Sequence, residues 1–240
     1  MSQPVVPLYR RLMDHLLEEI DAGRLQPGQQ ILSERELADQ FDMSRMTVRH
    51  ALNELVNQGV LFRHQGKGTF VGRPKIRQKL RGLSSFTEDM LNRGLRPGGR
   101  VLSVEVVPAS YRVRQALGLA EHSHVVRVER LRLADGEPMA LENTHLPYPR
   151  FAGLIGEKLE DLSLYKVLQD RFNVSFGTAL QAIEPAQADT NLARTLWIEE
   201  GSLLLLLERT TFAQQGDPVE FATSYYRADR YRFEVELNRR

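Results

Sequence analysis

Residues 32–71 read LSERELADQFDMSRMTVRHALNELVNQGVLFRHQGKGTFV, and this stretch decides the fold of the first part of the chain. Ser33 is placed to accept a hydrogen bond from the backbone at Glu36, and Glu36 to reach back to Ser33, the pattern of a capping box. Leu37 and Phe41 then fall four apart on one helical face. Asp42 and Met43 form a turn, and Ser44 caps a second helix. Along it Val48, Ala51, Leu52, Leu55 and Val56 recur at helical spacing, so this stripe is predicted to be core. Two short strand signals follow, Leu61–Arg63 and Thr69–Val71, around the loop His64-Gln65-Gly66-Lys67-Gly68. Its glycines permit positive φ and a close backbone approach. Two capped helices and a basic hairpin in this order predict a winged helix-turn-helix, a fold suited to duplex DNA.

The second helix carries the chemistry. Arg45 and Arg49 lie four apart on a face other than the core stripe, with Thr47 between them. A helix that enters the major groove reads bases with its first turns. An arginine there can donate two bonds to guanine, worth about 1–3 kcal/mol of discrimination. Candidate DNA contacts are therefore Ser44, Arg45, Thr47 and Arg49 on the helix, and His64, Gln65, Gly66 and Lys67 on the wing. The bland alternative is a glycine-turned surface hairpin beside a solvated charged helix.

The segment from Pro7 to Val71 resembles, nearly continuously, the DNA-binding domain of the GntR family of bacterial transcriptional regulators. The resemblance implies DNA contacts from Arg35, Arg45, Thr47, Arg49 and the wing around Gly66. Asp42 departs from the family, which often has glycine there. Aspartate tolerates the left-handed conformation better than most residues.

Two domains are the natural division of 240 residues, 42% of them apolar. With no cysteine, disulfides and thiolate metal sites are excluded, and a reducing cytosol is compatible. The start of the chain lacks a signal-peptide profile. The longest apolar run, Leu203 to Leu207, is too short to span a bilayer, so a cytoplasmic protein without membrane contact is expected. The net charge of +1 conceals an asymmetry: residues 1–81 hold 13 Lys/Arg against 9 Asp/Glu, the rest 19 against 22. No acidic residue occurs between Glu54 and Glu88. A basic run beside a wing supplies phosphate attraction.

Residues 1–72 are thus expected to form the winged domain, 73–82 a basic linker, and 83–240 an effector-binding and dimerisation domain. The first helix is predicted from Leu8 to Ala22, with Leu8, Leu12, Leu16 and Ile20 as its stripe. The linker, Gly72 to Gly82, shows no apolar face worth burying. A short helix is predicted near Phe86 to Asn92. Beyond Arg100, strands and short helices repeat: SYRVRQALGLAEHSHVVRVER (110–130) aligns without gaps with DTNLARTLWIEEGSLLLLLER (189–209) at an offset of 79. Leu117 matches Leu196, Ser123 matches Ser202, and Glu129-Arg130 matches Glu208-Arg209. Each half then reaches a turn, at Asp135-Gly136 or Gly216-Asp217, and returns as a strand. Two units of helix, strand, turn and strand predict one mostly antiparallel sheet around a pseudo-twofold axis, and an α+β class overall.

Strand parity places Val126, Val128, Arg130 and Arg132 on one face. If it points inward, two guanidiniums need acceptors there. Glu142 and Glu220 are one source, and a bound anion, which suits the planar fork of arginine, is another. Ser84, Ser85 and Thr87 offer hydroxyls at the start of the predicted helix, where backbone N–H groups favour an anion. Ser163 opens the helix containing Tyr165, with a simple N-cap as its bland reading. Glu220 and Tyr226 share a strand face with Ala222 and Ser224. They are placed to meet sugar hydroxyls, although Tyr226 reads equally well as core with a bonded hydroxyl.

Segments such as VERLRLADGEPMALENTHLP, DLSLYKVLQDRF and DPVEFATSYYRADRYRF resemble the UTRA domain of the HutC subfamily of GntR regulators, over about Leu83 to Phe233. The resemblance implies a small-molecule sensor with a chorismate-lyase-like fold but no catalytic role, and extends to repressors of N-acetylglucosamine utilisation, to which the chain is similar. Sugar-phosphate-sensing members hold phosphate with a serine/threonine loop and a strand arginine pair, and the sugar with acidic residues and a tyrosine. Carried over by position, this pattern falls on Ser84, Ser85, Arg130, Arg132, Glu142, Ser163, Glu220 and Tyr226. The implied effector is a small anion, foremost an amino-sugar phosphate such as N-acetylglucosamine 6-phosphate. Urocanate and other small acids are the subfamily's alternatives.

The sequence thus points to a homodimeric repressor that binds pseudo-palindromic operator DNA and responds to a small anion, with no cofactor and no metal. Two rivals remain at this stage. One is a chorismate-lyase-like enzyme, yet His122, His124 and His145 form no recognised catalytic or metal spacing. The other is a non-specific nucleic-acid binder, yet the first domain lacks the interleaved aromatic and basic residues that base stacking requires.

Overall fold

A computed structural model describes residues 7–64, 66–72, 75–80 and 82–237, with His64 described by its backbone alone. The chain divides into two compact units, Met1–Lys75 and Ile76–Arg240.

The first unit holds α1 (Leu8–Asp21), α2 (Glu34–Phe41), α3 (Arg45–Asn57) and an antiparallel hairpin of β1 (Leu61–His64) and β2 (Gly68–Val71). Both bonds of the capping box form: Glu36 N–H donates to Ser33 Oγ at 3.3 Å, and Ser33 N–H to Glu36 Oε2 at 2.8 Å. Asp42 ends α2 with φ of 50°, the left-handed conformation expected of it. Ser44 caps α3 by accepting from Thr47 N–H at 3.1 Å. Leu12, Leu16, Leu37, Val48, Leu52 and Leu55 close one apolar core. Leu8, read as part of the α1 stripe, is instead exposed at the first helical position. The result is the expected winged helix-turn-helix.

The second unit opens with β3 (Ile76–Lys79) and α4 (Phe86–Leu91), followed by β4 (Pro97–Pro108), α5 (Tyr111–Leu117), β5 (His124–Ala134) and β6 (Glu137–Pro147). Next come α6 (Tyr148–Phe151), a 3-10 turn at Ala152–Leu154, and α7 (Leu164–Phe172). The remainder is β7 (Phe176–Gln187), α8 (Thr190–Leu196), β8 (Leu203–Ala213), β9 (Pro218–Arg227) and β10 (Tyr231–Glu234). Six strands form one antiparallel sheet in the order β4-β5-β6-β9-β8-β7. The order is a palindrome, as a pseudo-twofold axis between β6 and β9 requires. The repeat is longer than the sequence match revealed, because β4 and β7 also correspond at the offset of 79 set by α5 with α8 and β5 with β8. Asp135 and Gly136, both at positive φ, make the tight β5–β6 turn, as the primed hairpin turns require.

Part of the expected linker is not a linker. Ile76–Lys79 pairs in parallel with Tyr231–Glu234, and Ile76 and Gln78 are buried on its inner side. Arg73, Pro74 and Arg81 lie outside the described residues. His122 sits in a turn at positive φ and His124 starts β5.

One face of the large sheet carries two separate apolar clusters. Val126, Val128 and Leu146 pack with Phe151, Leu164 and Leu168 of α6 and α7. Ala134 packs with Ile76, Phe86, Met90 and Tyr231 of β3, α4 and β10. The face shared by these β5 residues points inward: Val126 and Val128 are fully buried, and Arg130 and Arg132 are 4% and 2% exposed.

Candidate functional site

Between those clusters lies a polar cavity. Its floor is the sheet, with Arg130 and Arg132 from β5, Glu142 from β6, Arg209 from β8, and Glu220 and Tyr226 from β9. Its rim is the start of α4 (Ser84, Ser85, Thr87) and of α7 (Ser163, Tyr165). The structure therefore brings all ten predicted effector residues around one cavity. Its enclosed volume is about 40 Å³, while the cleft counted out to its mouth is about 580 Å³. Small-molecule pockets are commonly about 300–1,000 Å³. An occupant larger than a few waters must therefore part some of the lining side chains.

The arginines are only partly satisfied. Arg130 Nη2 donates to Glu142, and Nη1 donates to Leu162 O at 3.3 Å. Arg132 Nη2 donates to Thr87 Oγ1 at 3.1 Å, and its guanidinium lies 4.8 Å from the Phe86 ring centroid. Arg130 Nε, Arg132 Nε and Arg132 Nη1 are buried without a hydrogen-bond partner among the described residues. Burial, with repulsion from Arg130, lowers the Arg132 pKa to about 10. Both readings of the strand pair thus have a basis: Glu142 neutralises Arg130, and Arg132 retains unmet donors. Unmet buried donors are costly unless something else supplies acceptors.

The carboxylates divide by environment. Burial works to raise the Glu142 pKa, but Arg130 and Arg132 outweigh it and hold Glu142 below the usual range. Glu220 goes the other way, raised mainly by its burial. Its Oε2 accepts from Thr211 Oγ1 at 2.7 Å and from Tyr165 Oη at 3.1 Å. Arg130, Arg132 and Arg209 share this lining with Glu142, Glu220 and Asp89. Tyr226 is shared between roles: burial pushes its pKa to about 12, and its ring packs edge-on to Tyr231.

Two rim hydroxyls are helix caps. Ser85 Oγ accepts from Glu88 N–H at 3.2 Å, and Ser163 Oγ from Lys166 N–H at 3.3 Å. Each retains its own proton to donate. Arg209, Gln181 and Asp89 line the cavity but were not singled out from sequence. Arg209 had a signal, since the repeat aligns it with Arg130. It donates to Gln181 Oε1 at 2.8 Å and to Ser84 O at 3.3 Å.

In the first unit, Arg35, Ser44, Arg45 and Arg49 are exposed and Thr47 is half-buried. Ser44 and Thr47 share a hydroxyl hydrogen bond of 2.9 Å. Arg45 forms no hydrogen bond or ion pair among the described residues. Arg49, expected to project like Arg45, is instead paired with Glu34 at 2.8 Å, and Arg63 reaches the same carboxylate at 3.4 Å. Met46, 69% exposed between Arg45 and Thr47, is an apolar group on this surface that the sequence reading passed over. On the wing, Gly66 has φ of 72° and Gly68 of 120°. A Cβ on Gly68 would lie 2.5 Å from Gln30 Nε2, whose donor bond to Lys67 O at 2.8 Å steadies the loop. Gln65 and the His64 side chain lie outside the described residues.

Residues 8–71 match the family model of bacterial regulatory proteins, gntR family, and residues 92–232 match that of the UTRA domain. The chain is 41% identical over 238 residues to the HTH-type transcriptional repressor NagR of Bacillus subtilis, covering 99% of this chain and 98% of that protein. It is 31% identical to the mannosyl-D-glycerate transport/metabolism system repressor MngR of Escherichia coli, covering 98% and 97%. The crystal structure of PhnF from Mycobacterium smegmatis superposes with a TM-score of 0.67 at 32% identity, covering 98% of this chain and all of that one.

Proposed function

The chain belongs to the gntR family of bacterial regulatory proteins, in the branch that carries a UTRA domain, and from that premise we propose a homodimeric repressor released from its operator by an amino-sugar phosphate such as N-acetylglucosamine 6-phosphate. Two winged units meet the half-sites of a pseudo-palindrome, since dimer symmetry mirrors operator symmetry. Arg45, Thr47 and Arg49 read bases, while Arg35 and the wing at Gly66 and Lys67 hold the backbone. The operator places the protein with the chromosome, in the cytoplasm.

One observation carries the effector reading: a buried guanidinium with unmet donors, Arg132, lines the same cavity as Glu220, Tyr165 and Tyr226. An anionic group meets the arginine end, with Arg130 and the Ser84, Ser85, Thr87 and Ser163 hydroxyls beside it. A hydroxylated ring meets the acidic and phenolic groups, Glu142 among them beside Arg130. Relatives with repressor names that point to different metabolites mean that similarity alone does not select the ligand.

Calorimetric titration of the intact chain with N-acetylglucosamine 6-phosphate, N-acetylglucosamine, inorganic phosphate and urocanate tests this. The sugar phosphate is expected to bind more tightly than either half. Heat with urocanate and none with any phosphate would replace the sugar phosphate by a small acid.

A further inference from the structure

Asp89 stands in the cavity lining, yet the reading above gives it no task. A carboxylate beside a site for anions is electrostatically unfavourable, so its partners matter. One oxygen, Oδ1, accepts from Ser84 Oγ at 2.9 Å and lies 3.6 Å from Arg93 Nη1, one turn on, and the other, Oδ2, accepts from Gln78 Nε2 at 2.7 Å. Gln78 is 9% exposed on the inner side of β3. Its own Oε1 accepts from Arg93 Nη2 at 2.9 Å, and the same nitrogen donates to Arg77 O at 3.1 Å. Asp89 therefore joins a rim hydroxyl to the strand that opens the second unit, immediately after Lys75 ends the first.

We propose that Asp89 is a positioning residue: it holds Ser84 while the cavity is empty and passes the arrival of an anion to β3 through Gln78. This rests on the effector reading of the cavity. The Ser84 hydroxyl has a single proton, so it serves either Asp89 or a ligand oxygen. The enclosed volume of about 40 Å³ leaves no room for a sugar phosphate until lining groups part. An arriving anion both takes the Ser84 proton bond and repels the Asp89 carboxylate. Asp89 then shifts, and the buried Gln78 amide must follow it or lose its acceptor, an outcome that buried donors resist. β3, held to β10 along Tyr231–Glu234, is thereby reset.

The test uses the full chain, N-acetylglucosamine 6-phosphate, and the duplex that the wild type selects from a random pool. Ligand affinity is measured with and without duplex, and the ratio is the coupling, which linkage makes equal to the ligand's effect on duplex affinity. Gln78→Met removes the relay's inner end without touching the cavity wall. It is expected to keep ligand affinity near wild type while the ratio falls toward one. Asp89→Asn, isosteric on a partly exposed helix position, is expected to bind the anion more tightly, because a like charge is gone, and also to bring the ratio toward one. A wild-type ratio in both variants overturns the relay while leaving the cavity reading intact. A weaker ligand with an unchanged ratio in Gln78→Met overturns it as well, since that is a merely structural effect. No ligand binding by the wild type instead overturns the cavity reading, and the relay with it.

Discussion

Arg49 is held by Glu34: its Nε and Nη2 donate to Glu34 Oε2 at 3.0 and 2.8 Å. The carboxylate opens α2 and the guanidinium belongs to α3, so the pair ties the two helices of the helix-turn-helix. It also occupies a side chain assigned to base reading. Glu34 is held below the usual carboxylate range, first by the hydrogen bond from Arg49, so it is charged at neutral pH. DNA must compete with it for Arg49.

Replacing Glu34 with Gln is therefore expected to tighten operator binding by about two- to fivefold, the scale of an exposed ion pair. Arg49→Ala should weaken it and relax base preference. Fluorescence anisotropy on a labelled operator measures both, and weaker binding by Glu34→Gln would show the pair to be a needed brace rather than a competitor.

Arg45 and Lys67 are expected to fail differently. Arg45→Ala should lose about 1–3 kcal/mol of discrimination at one base position. Lys67→Ala should weaken operator and scrambled duplex alike and flatten the salt slope by about 0.9. Titrations at several salt concentrations separate the two, and full selectivity in Arg45→Ala would mean that α3 is not the reading helix.

Arg132 trades stability for binding. Its buried Nε and Nη1 lack partners among the described residues, so Arg132→Met is expected to raise the melting temperature of the unliganded protein. Sugar-phosphate affinity should fall about 10–150-fold, the worth of a hydrogen bond to a charged group of about 1.5–3 kcal/mol. A variant that melts lower and binds normally would make Arg132 a structural residue.

Glu220 predicts a pH dependence of definite sign. Its folded pKa is raised, so the stability that its protonated form contributes is fully present below the unfolded value and is lost as pH rises through the folded one. Glu220→Gln mimics the protonated acid at every pH. The melting temperature of the variant minus that of the wild type should therefore grow as pH rises above the ordinary glutamate range. A difference that instead shrinks with rising pH would mean that Glu220 is ionised in its Thr211 and Tyr165 pocket.

Much of this was legible in the chain because the signals are local. Ser33, Glu36, Asp42 and Ser44 fix their helix ends through contacts a few residues away, and the paired Asp135-Gly136 fixes its turn. That Arg130 and Arg132 share a face with Val126 and Val128 followed from alternation along β5. What escaped depends on distant partners. β3 carries one inward apolar side chain, Ile76, and its buried neighbour is the polar Gln78, so it read as linker. Its partner β10 is at the far end of the chain. The β4–β7 correspondence escaped because these are the sheet's edge strands, largely exposed, where ladder bonds rather than side chains set the register. Arg209 was in view through the repeat. Asp89 was not, because an acidic residue in a first helical turn ordinarily signals only the helix start.

The most direct test is the affinity of the wild-type chain for its selected operator, by anisotropy, with and without saturating N-acetylglucosamine 6-phosphate. The account predicts a fall of about 5–150-fold, a coupling of about 1–3 kcal/mol. An operator affinity unchanged by the sugar phosphate, with binding of that ligand verified in the same sample, would contradict it.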